Sequence, residues 1–136
     1  MLIRSISTLS LSIMLAVTPL AAIANSDKPV KTVNVQFKPG SSSATYKGKI
    51  KGYDFDSYRF YAKKGQTLNI NWNNSNPNID VSVRYLGQNK SDELLATSDQ
   101  ILPFTGPYEV RVLQTRNGAR KNNNLRPYTV KISITN

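Results

Sequence analysis

The sequence contains no cysteine and no histidine. Without cysteine there is no disulfide to staple the chain and no thiolate to act as nucleophile or metal ligand, so the fold must stand on packing alone. Without histidine the usual general base and the commonest metal ligand are gone, which removes the imidazole-dependent hydrolase arrangements and most zinc sites. Acidic residues are scarce: eight Asp and Glu face eighteen Lys and Arg, a formal charge of +10. Beyond residue 24 no apolar run approaches the roughly 18 to 20 residues that a membrane-spanning helix needs. Nor does any window of helical length carry an apolar stripe at helical spacing.

What is present starts with "MLIRSISTLSLSIMLAVTPLAAIANS", which has one early charge at Arg4, an apolar centre from Leu9 to Val17, and a small-residue exit "AIA" ending at Ala24. That order predicts a secretory signal peptide over 1–24, cleaved before Asn25. Pro19 and the shortness of the apolar run argue against a membrane anchor. Residues 25–136 then form one exported domain, long enough to bury a core. Loss of Arg4 leaves seventeen basic against eight acidic residues, a charge near +9. Such a balance keeps a protein soluble and attracts polyanions, but it equally describes a solvated basic surface.

From Val30 onward the pattern has period two and is broken often by turn residues. It predicts an all-β chain of about eight strands: "KTVNVQF", "TYKGKI", "DSYRFYA", "QTLNINW", "IDVSVRYL", "ELLATS", "PYEVRVLQ" and "PYTVKISI". In "QTLNINW" Leu68, Ile70 and Trp72 share a face, and in "PYTVKISI" Tyr128, Val130, Ile132 and Ile134 do. One wet and one dry face per strand imply an antiparallel β-sandwich or small barrel. The short "AKKGQ" link predicts a hairpin between its two flanking strands.

Three groups of residues carry chemical possibilities. Asp54 and Asp56 stand two apart in "GYDFDSYRF", a carboxylate pair suited to a hard cation or to glycoside hydrolysis, or simply to capping a turn. Tyr53, Phe55, Tyr58, Phe60 and Tyr61 alternate imperfectly; Tyr58 and Phe60 share a face suited to the core, and an exposed subset would suit stacking on sugars or bases. In "ATYKGKIKG" parity groups Tyr46, Gly48 and Ile50 against Lys47, Lys49 and Lys51, making Tyr46 a core residue, or a tip residue if the strand starts after it. The third group is "QTRNGARKNNNLR", a polar connection that reads as a loop turning at Asn117 and Gly118 and presenting Arg116, Arg120, Lys121 and Arg126. Arginine forks bind carboxylate or phosphate bidentately, which a merely solubilising surface does not require.

"TYKGKIKGYDFDSYRFYAKKGQ" (45–66) and "GPYEVRVLQTRNGARK" (106–121), in that order behind a signal peptide, resemble the bacterial periplasmic inhibitors of goose-type lysozyme. The resemblance spans essentially the whole chain after the leader and is loosest over 73–98. It implies a compact antiparallel sandwich similar to the pre-peptidase C-terminal domains of bacterial enzymes. It also implies a periplasmic protein that is not an enzyme, needs no metal or cofactor, inserts into no membrane and binds no nucleic acid. The partner implied is goose-type lysozyme, whose cleft is occluded. Carried over by position, the contacts are Tyr46, Arg116 and Arg120, with Asn117 between the arginines, in two neighbouring loops around "SSSATY" and "TRNGARK". The family places this tyrosine at the surface. Two other readings stay open on the residues alone: a basic envelope module that binds lipopolysaccharide, peptidoglycan or nucleic acid, and a glycan hydrolase using Asp54 and Asp56.

Overall fold

A computed structural model of the protein describes residues 28–72, 76–88, 94–95, 99–121 and 124–136; the leader expected over 1–24 lies outside them. In chain order the elements are β1 (Lys31–Asn34), β2 (Ser43–Ile50), β3 (Phe55–Ala62), β4 (Thr67–Trp72), β5 (Ile79–Tyr85), β6 (Leu94–Leu95), β7 (Gln100–Ile101), β8 (Gly106–Gln114), α1 (Arg116–Lys121) and β9 (Arg126–Thr135). The strands form a five-stranded sheet, ordered β1-β3-β8-β5-β6, and a four-stranded sheet, ordered β2-β9-β4-β7.

Alternation fixes what lies between the sheets. Tyr58, Phe60 and Ala62 of β3, Tyr108, Val110 and Val112 of β8 and Ile79, Val81 and Val83 of β5 are buried from one side; Leu68 and Ile70 of β4 and Tyr128, Val130 and Ile132 of β9 meet them from the other. Each large apolar side chain withdrawn from water this way contributes roughly 1.5–3 kcal/mol, and a chain without disulfides depends on that sum. Three fully buried tyrosines supply much of the volume. Each hydroxyl has a partner: Tyr108 donates to the Phe104 carbonyl at 2.7 Å, and Tyr58 and Tyr128 meet at 2.5 Å. Tyr128 lies across from Gly48 in the β2–β9 ladder. A Cβ at Gly48 would stand 2.5 Å from the Tyr128 hydroxyl oxygen, so the glycine leaves the space this ring occupies.

The fold departs from expectation at two places, the "AKKGQ" turn and the pairing of β1. "AKKGQ" turns tightly, with Gly65 at φ 94° and Gln66 N–H donating to the Lys63 carbonyl at 3.1 Å, but it carries the chain from one sheet to the other. It therefore makes no hairpin: β3 pairs with β1 and β8, and β4 with β7 and β9. Of "ELLATS", Leu94–Leu95 form β6, which joins β5, and the other four residues lie outside the described residues; β7, beyond the stretch, joins β4 in the other sheet. Finally, β1 runs parallel to β3. The chain visits the opposite sheet as β2 between them, and two reversals restore its direction.

Candidate functional site

The polar connection between β8 and β9 is not the loop its sequence suggests, because its first half is the short helix α1. Thr115 is the cap. Its carbonyl accepts the Ala119 N–H at 2.8 Å, the first helical bond, and its hydroxyl accepts the Gly118 N–H at 3.2 Å, satisfying a donor that a helix start would otherwise leave unpaired. The Asn117-Gly118 pair is thus helical, and the glycine is there for space: a Cβ on Gly118 would overlap the Asn78 side chain.

Asn78 seats the helix. Its carbonyl accepts the Thr115 N–H at 2.8 Å, and its side-chain oxygen accepts the Thr115 hydroxyl at 3.2 Å. Asn78 is itself held by Asn76, whose side-chain oxygen accepts the Asn78 N–H at 3.0 Å. Asn76 and Asn78, at the end of the asparagine-rich segment, are therefore a platform for α1, a role the composition does not reveal; residues 73–75 lie outside the described residues. On the other side the Gln114 amide reaches the Gly52 carbonyl at 3.2 Å and ties the same end of the sandwich to the β2–β3 turn.

With Gly118 and Ala119 facing inward, Arg116, Asn117, Arg120 and Lys121 are exposed. Arg116 and Arg120 are four apart on a helix and so share a face. Lys121 and Arg120 suit the last turn, where cations complement the helix dipole, but Arg116 occupies the first, where a cation is disfavoured and no acidic residue offsets it. Neither arginine has an ion-pair partner among the described residues.

Tyr46 settles between the two positions open to it. Its ring turns inward as parity demands and packs on the core, 5.1 Å from the ring centre of Tyr58. β2 is nevertheless the outermost strand of its sheet, so the ring lies at an open flank, half-buried, with its hydroxyl accepting the Gln36 N–H at 3.1 Å. Beside it runs a cavity of about 480 Å³ lined by Gln36, Lys38, Ser41 and Ser43. The structure brings Arg116, Asn117 and Arg120 together on α1 but does not make "SSSATY" and "TRNGARK" neighbours. Ser43 pairs with Ser133 and Ile50 with Arg126, so the two segments sit at opposite ends of β9, seven residues or roughly 23 Å apart along the strand. Tyr46 stands between, opposite Val130.

The carboxylate pair also separates. Asp54 is half-buried in the turn before β3, whereas Asp56 points into the sandwich and accepts the Tyr128 hydroxyl at 2.5 Å. Burial pushes the Asp56 carboxyl above its ordinary range, opposed by that hydrogen bond and by the Lys31 charge. Of the aromatics, Tyr53 and Tyr61 are exposed, while Phe55 is buried beneath Arg111, whose guanidinium carbon lies 4.3 Å from its ring centre. A charged cluster that sequence reasoning missed covers the outside of the five-stranded sheet. Glu109, buried under Arg59 and Arg111, accepts from Ser57 at 2.6 Å and from Arg111 at 2.7 Å. The period-two spacing of Glu109 and Arg111, which puts both on one face, was the available signal.

No family model matches the chain. A curated protein of Escherichia coli (strain K12), named inhibitor of g-type lysozyme, is 49% identical, with 76% of this chain and 81% of that protein covered. Among solved structures the chain resembles PliG of Salmonella Typhimurium, described as a periplasmic lysozyme inhibitor of g-type lysozyme, at 42% identity and a TM-score of 0.65. The match covers 77% of this chain and 98% of that one. PliG of Aeromonas hydrophila, with the same description, follows at 32% identity and a TM-score of 0.66 over 79% and 98% of the two chains. Identity of nearly one half across most of both chains, joined to a shared fold, establishes that the chain belongs to the family of inhibitors of g-type lysozyme.

Proposed function

We infer that this protein is a periplasmic inhibitor of goose-type lysozyme that blocks peptidoglycan hydrolysis by occupying the enzyme's cleft. It is a binding protein and not an enzyme. The observation that carries the proposed binding mode is the paired, outward Arg116 and Arg120 on a capped and seated helix, free of ion-pair partners among the described residues. Two like charges on adjacent helical turns repel, and a partner that brings carboxylates relieves the repulsion. A glycosidase cleft must hold carboxyl groups beside its scissile bond, and in such a water-poor place a bidentate guanidinium–carboxylate bond is strongest. Tyr46 adds a half-buried aromatic anchor on the flank, and Asn117 a hydrogen-bonding side chain between the arginines. Net charge contributes little to this account, because the affinity rests on a few well-held anchors.

The test is lysis of a peptidoglycan suspension by goose-type lysozyme, titrated with the mature protein, with chicken-type enzyme in parallel. Stoichiometric loss of goose-type activity is expected. Arg116→Ala and Arg120→Ala are each expected to weaken inhibition about tenfold or more, about 1.4 kcal/mol, while leaving the urea midpoint unchanged. Inhibition that survives both substitutions would place the contact elsewhere on the molecule; a falling midpoint would make the arginines structural.

A further inference from the structure

The β2–β9 ladder fixes the backbone of Tyr46 but not the direction of its ring. On an edge strand, open at one side, the ring is held at its hydroxyl by the Gln36 N–H, at 3.1 Å, and along its inner face by what lies behind. Behind it is Tyr58, tilted 39° to the Tyr46 ring at 5.1 Å and itself fully buried. Tyr58 is held in turn by Tyr128, which meets it edge-on at 6.4 Å and shares a 2.5 Å hydroxyl contact with it. A phenol has one proton to give. Tyr128 gives its proton to Asp56, so Tyr58 must donate to Tyr128. The result is a directed chain, Tyr58 to Tyr128 to Asp56, that leaves β3, crosses to β9 in the other sheet and returns to β3.

This arrangement is costly for a core. Asp56 is 1% exposed, and its second carboxylate oxygen has no partner within hydrogen-bond geometry among the described residues, only the influence of the nearby Lys31 backbone and charge. Burying a charge that is not fully hydrogen-bonded destabilises a fold, and apolar residues of similar volume would serve stability better. What the chain provides is direction, since a hydrogen-bonded ring has one orientation where a greasy one has several. Gly48 belongs to the same arrangement, because it leaves the Tyr128 ring room to reach Asp56.

We propose that Asp56 and Tyr128 are positioning residues, which, through Tyr58, fix the ring of Tyr46 in the orientation that meets lysozyme. This rests on the reading that Tyr46 is a contact residue. The test is a double-mutant cycle on inhibition of goose-type lysozyme, using Tyr128→Phe, which keeps the ring and removes the link, in the parent and in a Tyr46→Ala background. Tyr58→Phe severs the same link and serves as the second variant if Tyr128→Phe folds poorly. In the parent the link variant is expected to weaken inhibition about three- to tenfold, and in the Tyr46→Ala background less than about twofold, because residues acting through one contact are non-additive. Damage to the fold in general would weaken inhibition equally in both backgrounds. Equal weakening in both, or none in either, with Tyr46→Ala itself harmful, overturns the positioning role alone. A Tyr46→Ala protein that inhibits normally removes the contact reading and this inference with it.

Discussion

Glu109 faces outward on its strand, between the inward Tyr108 and Val110, yet it is 1% exposed. It lies opposite Arg59 on one neighbouring strand and Arg84 on the other, and the side chains of Arg59 and Arg111 close over it. Burial alone would raise its carboxyl, but the Ser57 and Arg111 hydrogen bonds and the Arg111 and Arg59 charges outweigh burial and hold it below the ordinary glutamate range. A carboxyl lowered by folding adds stability at pH values above its unfolded value, and that stability is lost as pH falls through the lower, folded value. Glu109→Gln is therefore expected to cost about 1–3 kcal/mol at neutral pH, with the gap from the parent closing as the pH drops through the acidic range. Urea unfolding at neutral and acidic pH measures both. A gap that stays constant would mean that lost packing, and not lost charge, is responsible.

At the scale of elements, α1 depends on one close approach. Replacing a helical glycine with alanine ordinarily favours the helix by about 1 kcal/mol. At Gly118 the new methyl would overlap Asn78, which cannot withdraw without breaking its bonds to Thr115 and Asn76. Overpacking of this kind costs about 1–3 kcal/mol, so the steric effect wins. Gly118→Ala is expected to weaken inhibition and to speed amide exchange in α1 while leaving exchange in β8 and β9 unchanged; normal exchange in α1 would show that the methyl is accommodated. The strands were legible because period two is a local signal, and Leu68, Ile70, Val130 and Ile132 read inward from sequence as they stand in the fold. Which sheet a strand joins was not legible at "AKKGQ", since a turn within a sheet and a turn between sheets use the same residues. The helix was hidden because six residues are too few to show a period, and Asn117-Gly118 reads as a turn wherever its surroundings are unknown. Thr115, an N-cap residue type followed by a basic last turn, was the missed sign. Among the site residues, Arg116 and Arg120 were legible as exposed. The half-burial of Tyr46 was not, because parity gives a side chain's direction but not whether its strand lies at an edge.

For the whole molecule, a formal charge of +10 over the full sequence invites a polyelectrolyte explanation, and salt separates that from a packed interface. Neutralising even six phosphates would cost about a thousandfold in affinity between roughly 50 and 200 mM salt. Inhibition by a few desolvated anchors is expected to weaken less than about tenfold over the same range, read from titrations of lysis at each salt concentration. A steep loss would mean that the basic surface, and not a few packed anchors, carries binding. Lys47, Lys49 and Lys51 have a duty that needs no ligand, for they are exposed along the outermost strand and at its end, where lysine discourages edge-to-edge pairing. The position of α1 in the topology has a mechanical consequence. It is slung between β8, which has β3 and β5 at its sides, and β9, which has β2 and β4. A tug on the helix is thus shared between two strands that can leave only by shearing ladders on both flanks, so the helix proposed to grip the enzyme is moored to the interior of both sheets.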